Sequence, residues 1–404
     1  MTTLFELSVR LTRNIGSEFK RFLYDRIDWN GRLIEIYGQR GAGKTTLMLQ
    51  KVKELNFILP GQALYVSLDD IYFFNHSIID TADSFLKYGG RYLFMDEVHR
   101  YPAKFSGYDW SAEIKNINDR YPELNVVYSG SSVLKLFKGQ GDLSRRKLSY
   151  NLPGLSFREF LIISKVLDFR PVTLEDILTH HISITNEIAG KIKIFRWFEK
   201  YLQYGYFPFF TESAEKYYDR LNDIISLVIE SDIPAVTDIP YLTSVKLKKL
   251  LSVIASSVPF TPNLTKTGAD LQVTDQRTLL KYLNYLDKAG LISMLSREGK
   301  GNQGLRKPEK IYLGNPNYLF CFNEHPEKGT IRETFFYSQA IADHSVSYTE
   351  AGDFKINGRT VFEVGGKNKE SRQIAGVKDS WLALDSIETG HGKQIPLWMF
   401  GFMY

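Results

Sequence analysis

The stretch GQRGAGKT, residues 38–45, sets three glycines, a lysine and a threonine at a spacing suited to enclosing a chain of phosphates. Glycine lets the backbone curl until successive N–H groups face phosphate oxygens. A helix starting directly afterwards adds the positive end of its dipole. Lys44 would then reach the outer phosphates, and the Thr45 hydroxyl would help hold Mg2+. The candidate contacts are Gly38, Gln39, Arg40, Gly41, Ala42, Gly43, Lys44, Thr45 and Thr46, with ATP and Mg2+ as the expected ligands. The pattern carries weight because GRLIEIY (31–37) before it reads as a strand and TLMLQKVKEL (46–55) after it as a helix.

Two more strand-like runs end in groups that complete such a site. RYLFMDE (91–97) closes on two carboxylates, and ligands of α/β sheets bind at the C-terminal tips of parallel strands. Asp96 would orient Mg2+, and Glu97 would polarise the attacking water as general base. LNVVY (124–128) runs into Ser129-Gly-Ser-Ser, where Ser129 or Ser131 could sense the terminal phosphate. ALYVSL (63–68) is a fourth strand, ending at Asp69-Asp70, and four strands separated by helical segments imply a parallel sheet covered on both faces. Arg146, in the Arg145-Arg146 pair before LPGLSFREFL, is a candidate phosphate contact from a second molecule; a solvated basic turn is the alternative.

These groups need elements to hold them. A chain of 404 residues exceeds one ordinary core, and the expected parts are 1–161, 162–239, 240–300 and 301–404. Cys321 is the single cysteine, which excludes an internal disulfide and a cysteine-built zinc site. No apolar run approaches the roughly 18 residues of a membrane span, so a soluble, cytoplasmic protein without membrane partners is expected. Net charge is +5, and residues 241–300 alone hold nine Lys/Arg against four Asp/Glu. Three helices and a strand read from this basic segment, the order of a winged helix-turn-helix. Asp275 would cap the third helix, Gln276, Arg277 and Lys281 would enter a duplex DNA major groove, and Lys300 would touch phosphate. A plain packing module is the other reading.

The last hundred residues place Glu333 on a helical stretch before the hairpin DFKINGRTVFEVGGKNK (353–369). A helix holding Gln373, Val377 and Trp381 should follow, then a strand from Gln394 to Phe400. A two-residue Asn357-Gly358 turn would pair Asp353 with Phe362 and send Glu363 to the opposite face; a three-residue loop would set Asp353 directly across from Glu363.

The succession GQRGAGKTTLMLQ, YVSLDD, YLFMDEVHR, VVYSGSS and LPGLSFREFL is similar to bacterial and archaeal AAA-type ATPases related to the STAND class, which carry a C-terminal domain of unknown function. The C-terminal order resembles the PD-(D/E)XK nuclease core. That resemblance implies a second Mg2+ site at Glu333, Asp353 and Glu363, with Gly365 standing where an assisting lysine is expected. The expected fold is α/β: a P-loop NTPase parallel-sheet domain, a helical connector, a winged helix and a small nuclease-like α/β domain. Two functions fit: an ATPase associated with DNA, or an ATP-dependent switch binding protein partners through an inactive C-terminal scaffold. Oligomer formation stays open.

Overall fold

The computed structural model of the chain describes residues 1–102, 109–136, 143–237, 239–299 and 307–404. They form two compact units, Met1–Pro153 with Glu230–Ile239, and Gly154–Ile229 with Pro240–Tyr404. This division departs from the four expected parts. LPGLSFREFL belongs to the second unit from Gly154 onward, and a ten-residue excursion from the middle of the chain belongs to the first.

The first unit is built on β1 (Leu33–Gly38), β2 (Ala63–Ser67), β3 (Tyr92–Asp96), β4 (Asn125–Ser131) and β5 (Leu148–Asn151), in the order β2-β3-β4-β1-β5. Every pairing is parallel. Alternation along the strands splits the core into two layers. Leu64, Val66, Leu93, Met95, Val126 and Tyr128 pack in one cluster with the helices Ile78–Lys87 and Trp110–Arg120. Ile34, Ile36, Tyr65, Phe94 and Val127 pack on the other side with the helix Lys44–Ile58. Near-continuous apolar strands are what a sheet covered on both faces requires. Ser77 and Asp109 accept hydrogen bonds from the first-turn amides of Asp80 and Ala112 and so start the first two helices.

In the second unit, Ser156 and Glu159 form a capping box that opens the helix Phe157–Ile163. The helices Tyr241–Ala255, Leu264–Asp270 and Gln276–Lys288 follow, and then β6 (Ile292–Leu295) and β7 (Lys310–Leu313) pair antiparallel. The helix Lys328–Ala340 precedes a sheet of β8 (Val346–Ser347), β9 (Phe354–Ile356), β10 (Thr360–Gly366), β11 (Ser380–Asp385) and β12 (Gln394–Pro396), in the order β12-β11-β10-β9-β8. Pairs β8–β9 and β9–β10 are antiparallel, and β10–β11 and β11–β12 are parallel.

Two local expectations fail here, and an open alternative is resolved. Gln373 lies on a single 3-10 turn, Val377 follows it, and Trp381 is on β11. Gly376, at φ 83°, breaks any helix before it can form, and SWLALD buries residues on both faces of a parallel strand. The last strand stops at Pro396 and continues as the buried 3-10 helix Leu397–Phe402. The hairpin has a three-residue loop, because Thr360 pairs with Ile356 and Phe362 with Phe354. Asn357 and Gly358 both take positive φ in that loop. The pairing ends at Phe354, and just before it the Asp353 amide donates to the Phe362 carbonyl at 2.9 Å, so Asp353 does not continue the register toward Glu363.

Candidate nucleotide-binding site

The loop leaves β1 at Gly38 and enters the helix Lys44–Ile58 with Gly43 as its N-cap. Gly41 and Gly43 sit at φ 84° and 96°, where a side chain would be strained. No side chain caps this helix, so its first amides remain for a ligand. Lys44 is buried and its Nζ donates to the carbonyls of Gly38 (3.0 Å) and Gln39 (3.2 Å). Burial pushes its pKa down, against the pull of Glu97 and Asp96. Thr45 and Thr46 are exposed at the helix start, and the Ala42 carbonyl accepts from Arg21 Nη1. Arg21, almost fully buried, also donates to Pro153 O at 2.8 Å and so ties the loop to the end of β5.

Asp96, at the tip of β3, is buried and collects four donors. Thr45 Oγ1 reaches Oδ2 at 2.6 Å and Tyr65 Oη reaches it at 2.9 Å. Ser129 Oγ and the Glu97 amide donate to Oδ1. The hydroxyl of Thr45 beside the carboxylate of Asp96 is the hard-oxygen pair that suits Mg2+, so these two residues fit the ion. Ser129 is therefore committed to orienting Asp96 and is not directed at a phosphate. Ser131 pairs with Gly38 at the start of the loop, and its buried hydroxyl has no hydrogen-bond partner among the described residues. Of the two serines, it is the one whose hydroxyl remains for a phosphate.

Glu97 holds a left-handed backbone, φ 52°, which a non-glycine residue adopts at a cost and which concentrates at functional sites. Its Oε2 is buried without a hydrogen-bond partner, 3.4 Å from His99 Nε2 and 3.8 Å from Arg40 Nη1. Arg40 in turn donates to both oxygens of Asp232, at 3.2 and 3.1 Å. Arg100 Nη2 reaches Asp232 Oδ1 at 2.8 Å. Burial alone would raise the pKa of Asp232; His99, Arg40 and Arg100 outweigh it and hold the carboxyl well below the usual range. Local spacing gave no sign of Arg21 or Asp232. His99 and Arg100 stand within the DEVHR run, and only their adjacency to Glu97 could have marked them.

Arg146 does not join this site. It precedes β5, whose Leu148 pairs with Ile34 near the start of β1, so it lies at the end of the sheet opposite the loop. There Arg146 Nε bonds Asp119 at 3.1 Å. A contact with phosphate would have to come from a second molecule.

In the second unit, Gln276, Arg277 and Lys281 are exposed on the helix capped by Asp275, opposite its buried Leu279, Leu283 and Leu286. Lys300 lies outside the described residues. Glu333, on the helix before the C-terminal sheet, does come near Asp353 and Glu363 of the hairpin, but in company. Lys310 Nζ stands 3.9 Å from Glu333 and 3.7 Å from Asp353. Tyr312 Oη donates to Glu333 at 2.7 Å, and the Val364 amide donates to Asp353 at 2.9 Å. Fully buried Glu363 pairs with Lys369 at 2.5 Å. A side chain at Gly365 would meet Lys369, so the glycine leaves room for a lysine from further along the chain. Burial, and then Asp353, raise the pKa of Glu333. Burial also leads the upward shift of Glu363, which Lys369 opposes. Among the described residues no group of three or more Asp, Glu, His or Cys is arranged to hold a metal ion. Two lysines, Lys310 and Lys369, thus stand among the three carboxylates expected to hold a second Mg2+.

A family profile described as an AAA domain matches residues 30–161, and one described as a domain of unknown function, DUF8612, matches residues 195–319. Together with the loop and the parallel sheet, the first match identifies an AAA-type P-loop ATPase domain within the chain. No curated protein matches. Among solved structures, the Walker-type ATPase PABY2304 of Pyrococcus abyssi is 12% identical over 75% of this chain and 95% of its own, with a TM-score of 0.45. The Aeropyrum pernix ORC1 protein in complex with DNA is 13% identical over 78% and 91%, with a TM-score of 0.31. AMPPCP-bound DnaA from Aquifex aeolicus is 17% identical over 70% and 88%, with a TM-score of 0.26. No described helix is long and apolar enough to cross a membrane.

Proposed function

We propose that the chain is a Mg2+-dependent ATPase that couples its nucleotide state to a DNA-associated second unit. The observation that carries this reading is the contact of Thr45 with Asp96 beside Lys44 and Glu97. Lys44 would leave the loop carbonyls for the outer phosphates. Thr45 and Asp96 would hold Mg2+, which supplies charge neutralisation to the transferring phosphoryl group. Glu97 would take the proton of the attacking water. Coupling has a covalent route, since the chain returns to the ATPase unit at Glu230–Ile239 before continuing into the basic helices.

We read those helices with β6 and β7 as a winged helix that offers Gln276, Arg277 and Lys281 to duplex DNA, and the C-terminal sheet as a nuclease-like scaffold without cleavage. The lysines on its carboxylates also suit the second reading, in which the scaffold binds protein partners. Glu97→Gln should bind ATP but cease phosphate release, and Lys44→Ala should lose ATP binding in a fluorescence titration. Unchanged binding by Lys44→Ala would overturn the proposal.

A further inference from the structure

We propose that Asp232 is a positioning residue for hydrolysis, holding Arg40 so that Glu97 stays free to act on water. The inference rests on the ATPase reading above and extends it to a residue 192 positions from the loop.

Two carboxylates lie within reach of one guanidinium. Asp232 has a fully buried side chain and takes two hydrogen bonds from Arg40 Nη1. Glu97 Oε2 is 3.8 Å from the same nitrogen, beyond hydrogen-bond distance, and is left without a hydrogen-bond partner. His99 Nε2 stands between them, 3.4 Å from Glu97 and 3.6 Å from Asp232. Arg100 completes the group from the side of Asp232.

A general base needs an oxygen free to meet the proton, and an arginine bonded to it covers a lone pair. Remove the charge at Asp232, and two arginines are left with Glu97 as the nearby carboxylate. Arg40 has less than an ångström to move. Asp232 therefore acts through Arg40, and touches no reacting atom itself.

The shape of the side chain can be kept while its charge is removed. Full-length parent, D232N, R40Q and the double variant would be compared for ATP binding by fluorescence titration and for turnover by phosphate release. D232N should bind ATP within about threefold of parent, yet lose about 10- to 100-fold in kcat, no more than the lower bound of the roughly 10²- to 10⁴-fold that a general base contributes. Adding R40Q to D232N should recover several-fold of that loss, because the guanidinium that covers Glu97 is gone. A merely structural aspartate would give no such rescue. D232N turning over within about twofold of parent, or a double variant no faster than D232N, would overturn the inference. Should D232N fail to fold, D232S serves instead, with the same loss in kcat and the same recovery on adding R40Q expected. A D232S variant with parent turnover also overturns it. Parent without turnover would defeat the ATPase reading itself, and parent activity with an unaffected D232N would defeat only the role of Asp232.

Discussion

Replacing Arg21 by methionine tests how the phosphate loop is held. Arg21 is 4% exposed, and its guanidinium donates to two buried carbonyls, Ala42 in the loop and Pro153 after β5. Hydrogen bonds from a charged donor contribute about 1.5–3 kcal/mol each, and each acceptor left unpaired keeps its desolvation cost. Methionine fills similar space and spares the burial of a charge, which offsets part of the loss. The net expectation for R21M is a first unit destabilised by about 2–4 kcal/mol. Since 1.4 kcal/mol is a factor of ten, loop amides that exchange through opening should exchange roughly 30- to 700-fold faster. Hydrogen exchange read peptide by peptide is the suitable assay, because two units need not unfold together. ATP affinity should weaken as well, since the released Ala42 carbonyl can turn toward the space meant for phosphates. Loop exchange unchanged within about 0.5 kcal/mol would mean that Arg21 does not hold the loop.

Acid should weaken the first unit through Asp232. Its folded pKa lies below the ordinary value of about 3.9, so its contribution is present above that pH and is lost as pH falls toward the folded value. Denaturation followed from pH 6 downward should show a shallower slope for D232N, and parallel slopes would count against the assignment. In the second unit, Lys369→Met leaves buried Glu363 without its cation and should cost about 1–3 kcal/mol, less than a fully buried pair because Lys369 is partly exposed. Adding Glu363→Gln should return part of that stability in a thermal melt, and a double variant no more stable than the single would refute the pairing. Duplex DNA binding, followed by anisotropy across a salt series, should lose about one unit of log–log slope with each of Arg277→Ala and Lys281→Ala. Absence of binding at low salt would favour the protein-partner reading.

What the sequence by itself determined is local. The phosphate loop is contiguous, and its glycines dictate their own backbone, so GQRGAGKT could be read before any fold was known. The strands ending at Asp96 and at Ser129 to Ser131 announced themselves by apolar runs and polar tips, and a parallel sheet put those tips beside the loop. The choice between the two serines was not local, because only strand register aims Ser129 at Asp96 and sets Ser131 beside Gly38. The hairpin loop was undecided for the same reason: Asn-Gly favours a short turn, yet pairing along β9 and β10 adopted a three-residue loop, while the Asp353 amide still bonds the Phe362 carbonyl. Gly365 looked like a lost lysine, and the fold supplies Lys369 from four residues beyond. Arg21 and Asp232 lie further still from their partners in sequence, 132 residues from Pro153 and 192 from Arg40. No spacing rule joins such positions. The Arg21 guanidinium meets its carbonyls, and the Asp232 carboxylate its arginines, only once the layers pack and exclude water, which makes pairing the condition for burying them at all.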